Sequence, residues 1–494
     1  MKKHTISLYP LGKEIRVNDQ TPLIDVLHEF GIEFPCGGKG TCGKCKVRLL
    51  DGEIFTNPAH IHKLDKLGFT KDWRLACMSN CTDDITLEIE QFNHIILADE
   101  TEFEFTPGEG YGIAVDLGTT TVVAQLIDLR SAQVLAIETM LNPQIRFGAD
   151  LISRIQACLD GNDGEMNRTI RSSIGTMIEL MLKKHLVDLQ QVVLVGNTVM
   201  QFIFSNCDVS PLSMYPFHAD NLGLKTFTPE ELGWNFTVSK PIKFHASIGS
   251  FVGSDILAGI AATGIHQKEK YTALIDLGTN GEIVIGNREQ IVCASTAAGP
   301  AFEGSNISMG MRAVTGAISS FSLDNESIIA HVIGNTSAKG ICGSALIDAI
   351  AILRKLDFIG LFGEINSGAD HLNLTGKINL TQKDINEFQL AKAALAAGMT
   401  ILCKKLSMSP SDIQEVFIAG GFGNYINLEH VSDIGMIEVP EEKIRKMGNT
   451  ALIGAKMFLF TDGTITEEIL SKTTHVNLEG DPNFQDIYVD KMLL

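Results

Sequence analysis

The chain has 494 residues, too many for one compact domain and enough for about two to four. Hydrophobic residues make up 45% and charged residues 20%, a globular balance, and 14 prolines with 46 glycines exclude a collagen-like or low-complexity chain. Forty basic against 59 acidic residues give −19, which disfavours a general nucleic-acid or membrane-surface binder; no apolar run reaches the roughly 18 residues of a membrane span, and the start MKKHTISLYP lacks a signal peptide's apolar stretch, so a cytoplasmic protein is expected.

Residues 1–92 form the first unit. HTISLYP and EIRVND read as two strands of a hairpin turning near Gly12. TPLIDVLHEFG reads as a short amphipathic helix, with Thr21 as cap, Pro22 at the first helical position, an apolar face of Leu23, Val26, Leu27 and Phe30, and Gly31 as its end. KVRLLDGEI and DITLEIE are alternating strand patterns. Together these predict a small β-grasp unit. In NPAHIHKL, His60 and His62 read as surface histidines rather than a metal pair.

Five of the ten cysteines lie between Cys36 and Cys81. In a large cytosolic chain such a cluster points to metal or redox chemistry, whereas the scattered Cys158, Cys207, Cys293, Cys342 and Cys403 read as buried small hydrophobes. Cys36, five residues, Cys42, two residues, Cys45, thirty-one residues and Cys77 is the spacing that wraps a [2Fe–2S] rhomb: three close thiolates on a loop and a distant fourth. Gly37, Gly38, Gly40 and Gly43 let the backbone approach the sulfides. Zinc is the weaker alternative, since it usually takes two C-x2-C pairs and one is present. GKGTCG also satisfies a dinucleotide fingerprint by coincidence, because no strand and helix flank it. The loop resembles that of plant-type and adrenodoxin-type ferredoxins. The gap of five between the first two cysteines suits the adrenodoxin form, and the RLAC context favours Cys77 over Cys81 as fourth ligand.

Residues 93–110 are acidic, end in Pro and Gly, and read as a linker with room for one strand. From Tyr111 onward apolar strands ending in glycine alternate with helical stretches, the α/β pattern. An internal repeat is visible. GIAVDLGTTTVVAQLIDL (112–129) matches TALIDLGTNGEIVIG (272–286), VVLVGNT (192–198) matches VFIAGGF (416–422), and SFVGSDILAGI (250–260) pairs with GICGSALIDAI (340–350) at irregular spacing.

The two D-L-G-T hairpins carry the nucleotide reading. In each, a strand delivers an aspartate, Asp116 or Asp276, to a tight turn whose N–H groups and hydroxyls suit phosphate oxygens. The turn residues are Gly118, Thr119, Thr120 and Thr121 in the first, and Gly278, Thr279, Asn280 and Gly281 in the second. The aspartates suit a hydrated Mg²⁺, and two facing hairpins would clamp a triphosphate. Gly420, Gly421 and Gly423 make a third turn, open enough for adenine and ribose. Glu282 and Glu303 are candidates to orient the attacking water. Asp255 and Asp348 read as helix-terminus residues only, and Lys404 with Lys405 as solvent-facing at a helix C-terminus.

The order D-L-G-T, D-L-G-T, G-G-F-G resembles the ASKHA superfamily of acetate and sugar kinases, Hsc70 and actin. That resemblance implies a duplicated RNase H-like ATPase over about 111–465, with halves near 111–268 and 269–465 and a C-terminal tail at 466–494. GPAFEG, GMRAVTGAI, GICGSALID and GNYIN, with IGMIEVPEEKI and GNTALIGA downstream, resemble the reductive activators of corrinoid proteins, in which a [2Fe–2S] ferredoxin domain is fused to an ASKHA ATPase. Larger members carry an extra module where this chain has only the 93–110 linker.

The expected fold is therefore multi-domain, α+β then α/β: a β-grasp ferredoxin followed by a duplicated actin-like ATPase. The resemblance implies ATP with Mg²⁺, a corrinoid protein as partner in a methyltransferase system, an electron from a cytosolic reductase or ferredoxin, and a homodimer. It implies restoration of Co(I) from Co(II), an uphill step for a cluster near −400 mV. A small-molecule kinase with a redox-regulatory ferredoxin is the alternative from another class, and a plain electron-transfer module with a degenerate nucleotide fold is a third.

Overall fold

The computed structural model describes residues 2–9, 13–27, 32, 40, 45–66, 72–89, 103–185, 187–302, 304, 306–312, 316–324, 327–333, 337–420, 423 and 425–494. Lys3–Tyr9 and Lys13–Asn18 pair as the expected hairpin, and a five-stranded sheet runs in the order Lys13–Asn18, Lys3–Tyr9, Ile85–Glu88, Lys46–Asp51, Trp73–Leu75. Lys3–Tyr9 and Ile85–Glu88 run parallel. Alternation puts Ile6, Leu8, Val47, Ile85 and Leu87 on one face, where they close over Leu23, Leu27 and Leu75 in a core of their own.

The helix expected over 21–31 is shorter. Only Ile24–Leu27 is helical among its described residues, and 28–31 lie outside them. Thr21–Pro22 is instead a strand pairing with Asn80–Cys81, and the Thr21 hydroxyl donates to the Asn18 carbonyl rather than capping. The cause is tertiary: Gln20 and Leu23 N–H groups donate to the Cys81 and Ser79 carbonyls, which outweighs the local helix signal.

The D-L-G-T hairpins each head a six-stranded sheet. The first runs Val134–Leu141, Thr121–Asp128, Tyr111–Leu117, Leu189–Gly196, Ile242–Phe244, Lys225–Phe227. The second runs Ile444–Gly448, Glu415–Ala419, Thr272–Leu277, Gly281–Gly286, Ile291–Thr296, Thr473–His475. In both, three antiparallel strands are followed by a fourth and fifth parallel to the first. This is one fold written twice. Residues 466–494, read above as a tail, supply Thr473–His475 to the second sheet and the helix Phe484–Asp490. The described linker residues 103–108 form no strand; Phe103 packs edge-on and Phe105 tilted against Phe460, with centroids 5.6 and 4.8 Å away.

The repeat's third pair needs correction. The helix Ser254–Thr263 is matched by Thr450–Phe458 (GNTALIGA), which follows the fifth core strand of the second half, and not by Gly343–Lys355, which sits in an insertion between the third strand and the helix Gln382–Lys405. Ser254–Thr263 and Thr450–Phe458 cross at the centre of a core drawn from both halves, with Leu257, Ile260, Leu274, Ala451, Ala455 and Phe458 buried in it. Their contact is close: a Cβ on Gly454 would lie 2.1 Å from the Ala258 carbonyl oxygen. Gly454→Val is therefore expected to destabilise the ATPase by about 2–3 kcal/mol, read by chemical denaturation.

Candidate functional site

Two chemical sites emerge. In the first, Cys45 is buried at the start of the strand Lys46–Asp51, and Cys77 sits in the short 3-10 turn Ala76–Met78. Ala76 N–H donates to the Cys45 carbonyl at 2.9 Å, and the two Sγ atoms are 3.3 Å apart without a disulfide. Two thiolates on one tetrahedral metal, with metal–sulfur bonds of about 2.3 Å, stand roughly 3.8 Å apart, so this pair fits shared ligation of one iron. Cys36 and Cys42, expected as the other two cluster ligands, lie outside the described residues. Gly40 has φ +67°, and a Cβ there would meet the Met78 sulfur at 2.7 Å, so the loop needs glycine at that point.

Cys81 is different. It is buried, its Sγ donates to the Asp83 carbonyl, and burial raises its thiol pKa, the opposite of what a thiolate ligand needs. His60 corrects the surface reading: it is fully buried, and its Nε2 accepts the Leu75 N–H at 2.9 Å, two residues before Cys77. Burial, then the Arg74 and Lys63 charges, depresses its pKa, which suits a neutral acceptor. His62 is exposed as expected.

The second site lies between the ATPase halves. Asp116 and Asp276 occupy equivalent places near the ends of Tyr111–Leu117 and Thr272–Leu277, and the turns that follow meet: Thr120 Oγ1 and Thr279 Oγ1 are 3.2 Å apart. The first turn is braced from behind. Its carbonyls at Gly118 and Thr120 accept from Asn142 Nδ2 and Asn142 N–H, and that of Thr119 accepts from the fully buried Arg154. A Cβ on Gly118 would fall 2.6 Å from the Thr121 carbonyl oxygen. The second turn closes through Gly278 N–H to the Asn280 carbonyl, and Gly281 begins the returning strand.

Gly420 ends its strand at φ +87° and donates its N–H to the Gly448 carbonyl. A Cβ there would lie 2.5 Å from the Leu277 carbonyl oxygen and 2.9 Å from Asp276 Oδ1. Gly423 is described nearby; Gly421 and Glu303 lie outside the described residues. Gly420→Ala is expected to weaken ATP binding at least about tenfold while far-UV dichroism stays unchanged, because it both strains the turn and displaces Asp276.

Glu282 stands directly across the hairpin from Asp276, and Ser295 Oγ donates to its Oε1 at 3.4 Å. The sequence reading missed two partners. Asp255, read above as a helix terminus only, opens into the same cleft. Ser254 Oγ accepts the Gly196 N–H at 3.1 Å, and a Cβ on Gly253 would fall 2.2 Å from the Gly196 carbonyl oxygen. That pins the start of the helix, and Asp255 with it, to the end of the strand Leu189–Gly196. Asn449, which caps Thr450–Phe458, donates its Nδ2 to Asp116 Oδ2 at 2.8 Å. The first half's helix brings Asp255 within charge reach of Asp116, Asp276 and Glu282, and the second half's helix presents Asn449 to Asp116. The sequence Gly-Asn-Thr before an apolar helix signals Asn449 as a cap, though not as a partner of Asp116.

Asp116, Asp255 and Asp276 are half-buried and Glu282 is buried. Burial pushes Asp116 up to about 6, with Asn449 opposing. Asp276 rises to about 7 through burial and the Asp116 charge, and Asp255 to about 8 through burial and then the Asp116 and Asp276 charges. Glu282 is held well above the usual carboxylate range by burial and by Asp255 and Asp276. Such a cluster calls for positive charge. Among the described residues no three His, Cys, Asp or Glu side chains converge closely enough to ligate a metal directly. A magnesium ion held through its own waters fits that spacing.

Comparison with known proteins agrees with this layout. Residues 7–82 match the 2Fe-2S iron-sulfur cluster binding domain, 111–268 the RACo middle region, and 270–494 the C-terminal domain of RACo, the ASKHA domain. The corrinoid activation enzyme RamQ of Eubacterium limosum is 31% identical, with 98% of each chain covered. The chain belongs to the family of ferredoxin-fused ASKHA activators of corrinoid proteins. Another relative, the [Co(II) methylated amine-specific corrinoid protein] reductase of Methanosarcina barkeri, is 27% identical over 77% of this chain and 76% of its own. A solved member, the reductive activator for corrinoid, iron-sulfur protein, superposes with a TM-score of 0.69 at 27% identity, covering 99% of this chain and 98% of the other. No described helix is long and apolar enough to cross a membrane.

Proposed function

We propose that this activator couples ATP hydrolysis to one-electron reduction of a corrinoid protein's cobalt from Co(II) to Co(I). The observation that carries the reading is the union, in one chain, of a sulfur pair suited to iron and a cluster of carboxyls beside two facing turns. The full-length likeness to RamQ supports it. A [2Fe–2S] cluster held by Cys36, Cys42, Cys45 and Cys77 supplies a one-electron carrier.

The remaining roles belong to the nucleotide cleft. Turn N–H groups and hydroxyls at 118–121 and 279–281 hold the phosphates of ATP, and Gly420, Gly421 and Gly423 leave room for adenosine. Asp116 and Asp276 hold hydrated Mg²⁺, with Asn449 orienting Asp116. Glu282 orients water. As the water oxygen bonds to the γ-phosphorus, the bond to the β-phosphate oxygen breaks, ADP leaves, and Asp255 takes the water's proton; a carboxyl tuned near ambient pH suits that task. The electron donor is a cytosolic reductase or ferredoxin, and the working form is a homodimer; family likeness supports both. ATP favours the reduction only by binding one conformer better than another.

The test mixes anaerobic, cluster-loaded protein with a Co(II) corrinoid protein and a reductant. An ATP-dependent Co(I) absorbance band is expected. Its absence, with ATP still hydrolysed, overturns the reading.

A further inference from the structure

The iron–sulfur and ATPase units have separate cores, yet a short chain of contacts joins the phosphate turn to the iron–sulfur domain. Asn142, which holds the Gly118 and Thr120 carbonyls, also caps the 3-10 turn Pro143–Arg146 by accepting the Gln144 N–H at 3.0 Å. Arg154, which holds Thr119, bonds through Nε to the Gly148 carbonyl and through a terminal nitrogen to Gln144 Oε1. Segment 142–154 is thus one stiff brace behind the first phosphate turn. At its end Arg146 reaches two carboxylates. One guanidinium nitrogen is 2.5 Å from Glu165 of the same half, and the other is 3.6 Å from Asp25 of the iron–sulfur domain. Its charge also lies over the Phe147 ring, 4.8 Å from the centroid.

Asp25 is well placed to pass a signal on. It lies in the helix Ile24–Leu27, whose neighbours Leu23 and Leu27 are fully buried. Leu23 N–H donates to the Ser79 carbonyl, two residues past Cys77. In sequence, the same helix precedes the segment that carries Cys36 and Cys42.

We propose that the Arg146–Asp25 ion pair is a clasp that holds the iron–sulfur domain against the ATPase and opens when nucleotide enters the cleft. The direction follows from Thr120 and Thr279. With their hydroxyls 3.2 Å apart, the two turns touch, and a triphosphate between them has to part them. The first turn is bonded to its brace through three consecutive carbonyls, so the two move together. Arg146 travels with the brace because Glu165 holds it to the same half, and Asp25 stays behind. The longer, partly exposed contact is the one that gives. Exposed pairs of this kind bias an equilibrium by up to about fivefold, enough to gate docking without locking it. This clasp rests on the reading of the cleft as a nucleotide site and adds to it the means by which ATP frees the iron–sulfur domain for its partner.

Hydrogen exchange on the full, cluster-loaded chain tests it, with and without an ATP analogue that is not hydrolysed. In the wild type the analogue is expected to slow exchange at 116–121 and to speed it severalfold at 24–27. In Arg146→Gln and in Asp25→Asn, exchange at 24–27 should already be fast without nucleotide and unchanged by it, while in Asp25→Asn, which leaves the brace and its Glu165 anchor intact, protection at 116–121 persists and ATP hydrolysis is retained. The double variant should match either single one. Protection at 116–121 with no change at 24–27 in the wild type, or an undiminished nucleotide effect in the variants, overturns the clasp. No protection at 116–121 overturns the nucleotide reading beneath it.

Discussion

Asp255→Asn is expected to lower ATP hydrolysis by about a hundredfold or more while making the nucleotide-free protein more stable at pH 8. The first effect is loss of the group that receives the proton from water, a contribution of about 10²–10⁴ in comparable sites. The second follows from linkage. Asp255 titrates near 4 in the unfolded chain and near 8 in the cleft. Below pH 4 both states are protonated and the site costs nothing. As pH rises from 4 towards 8, the unfolded carboxyl ionises freely and the buried one resists, so folding stability falls through that window.

Asparagine cannot ionise, so its advantage is absent at pH 4 and grows to on the order of 2 kcal/mol at pH 8, after allowance for water and ions in an open cleft. Glu282, Asp276 and Asp116 also carry raised values, so removing one negative charge relieves the others too. Thermal melts at the two pH values, without nucleotide, check the sign. A variant that is less stable at pH 8, or that turns over ATP at the wild-type rate, contradicts the placement of Asp255 among these carboxyls. Saturating Mg–ATP should narrow the stability gap, because the wild-type carboxylates then face a cation.

The parts of this cleft that the sequence exposed are those carried by local chemistry. A strand ending in Asp-Leu-Gly-Thr announces a turn with free N–H groups wherever it occurs, and two copies announce a pair. What the sequence concealed is set by distance along the chain. Asn449 meets Asp116 across 333 positions, and no local pattern marks that encounter. Asp255 looks like an ordinary first-turn acid, and its second role appears only when Gly253 and Ser254 lock it to Gly196. The repeat itself misled at its third pair, because Gly343–Lys355 shares the Gly-Ser opening of Ser254–Thr263, whereas the topological counterpart Thr450–Phe458 opens on Asn-Thr. Thr21 and His60 fail for the same reason in miniature. Each has a plausible local role, cap or surface residue, and each is claimed by backbone from the segment that carries Cys77.

That segment also yields the sharpest separation of the two activities. Cys77→Ala is expected to abolish the visible absorption of the anaerobically purified protein and all corrinoid reduction, yet leave ATP hydrolysis within about twofold of wild type. The sulfur pair explains the first half. With Cys45 and Cys77 placed for one iron, deleting Cys77 leaves that iron one protein thiolate, too few to hold it. Cys81 does not substitute, since its buried thiol is turned to the Asp83 carbonyl and resists ionisation; Cys81→Ala should keep the absorption and cost only about 1 kcal/mol of stability in the iron–sulfur domain. The second half follows from packing. Among the described residues, the core built on Ile6, Leu23, Leu75 and Leu87 is separate from those beneath the two ATPase sheets, so damage there need not reach Asp116 or Asp276. An uphill gap of 100 mV is about 2.3 kcal/mol per electron, well within what nucleotide binding can offset. That offset is useful only if the electron carrier and the ATPase are separable parts that communicate through few contacts. A Cys77→Ala protein that kept its absorption would move the fourth ligand elsewhere. One that lost ATP hydrolysis as well would show the two parts to be a single cooperative unit.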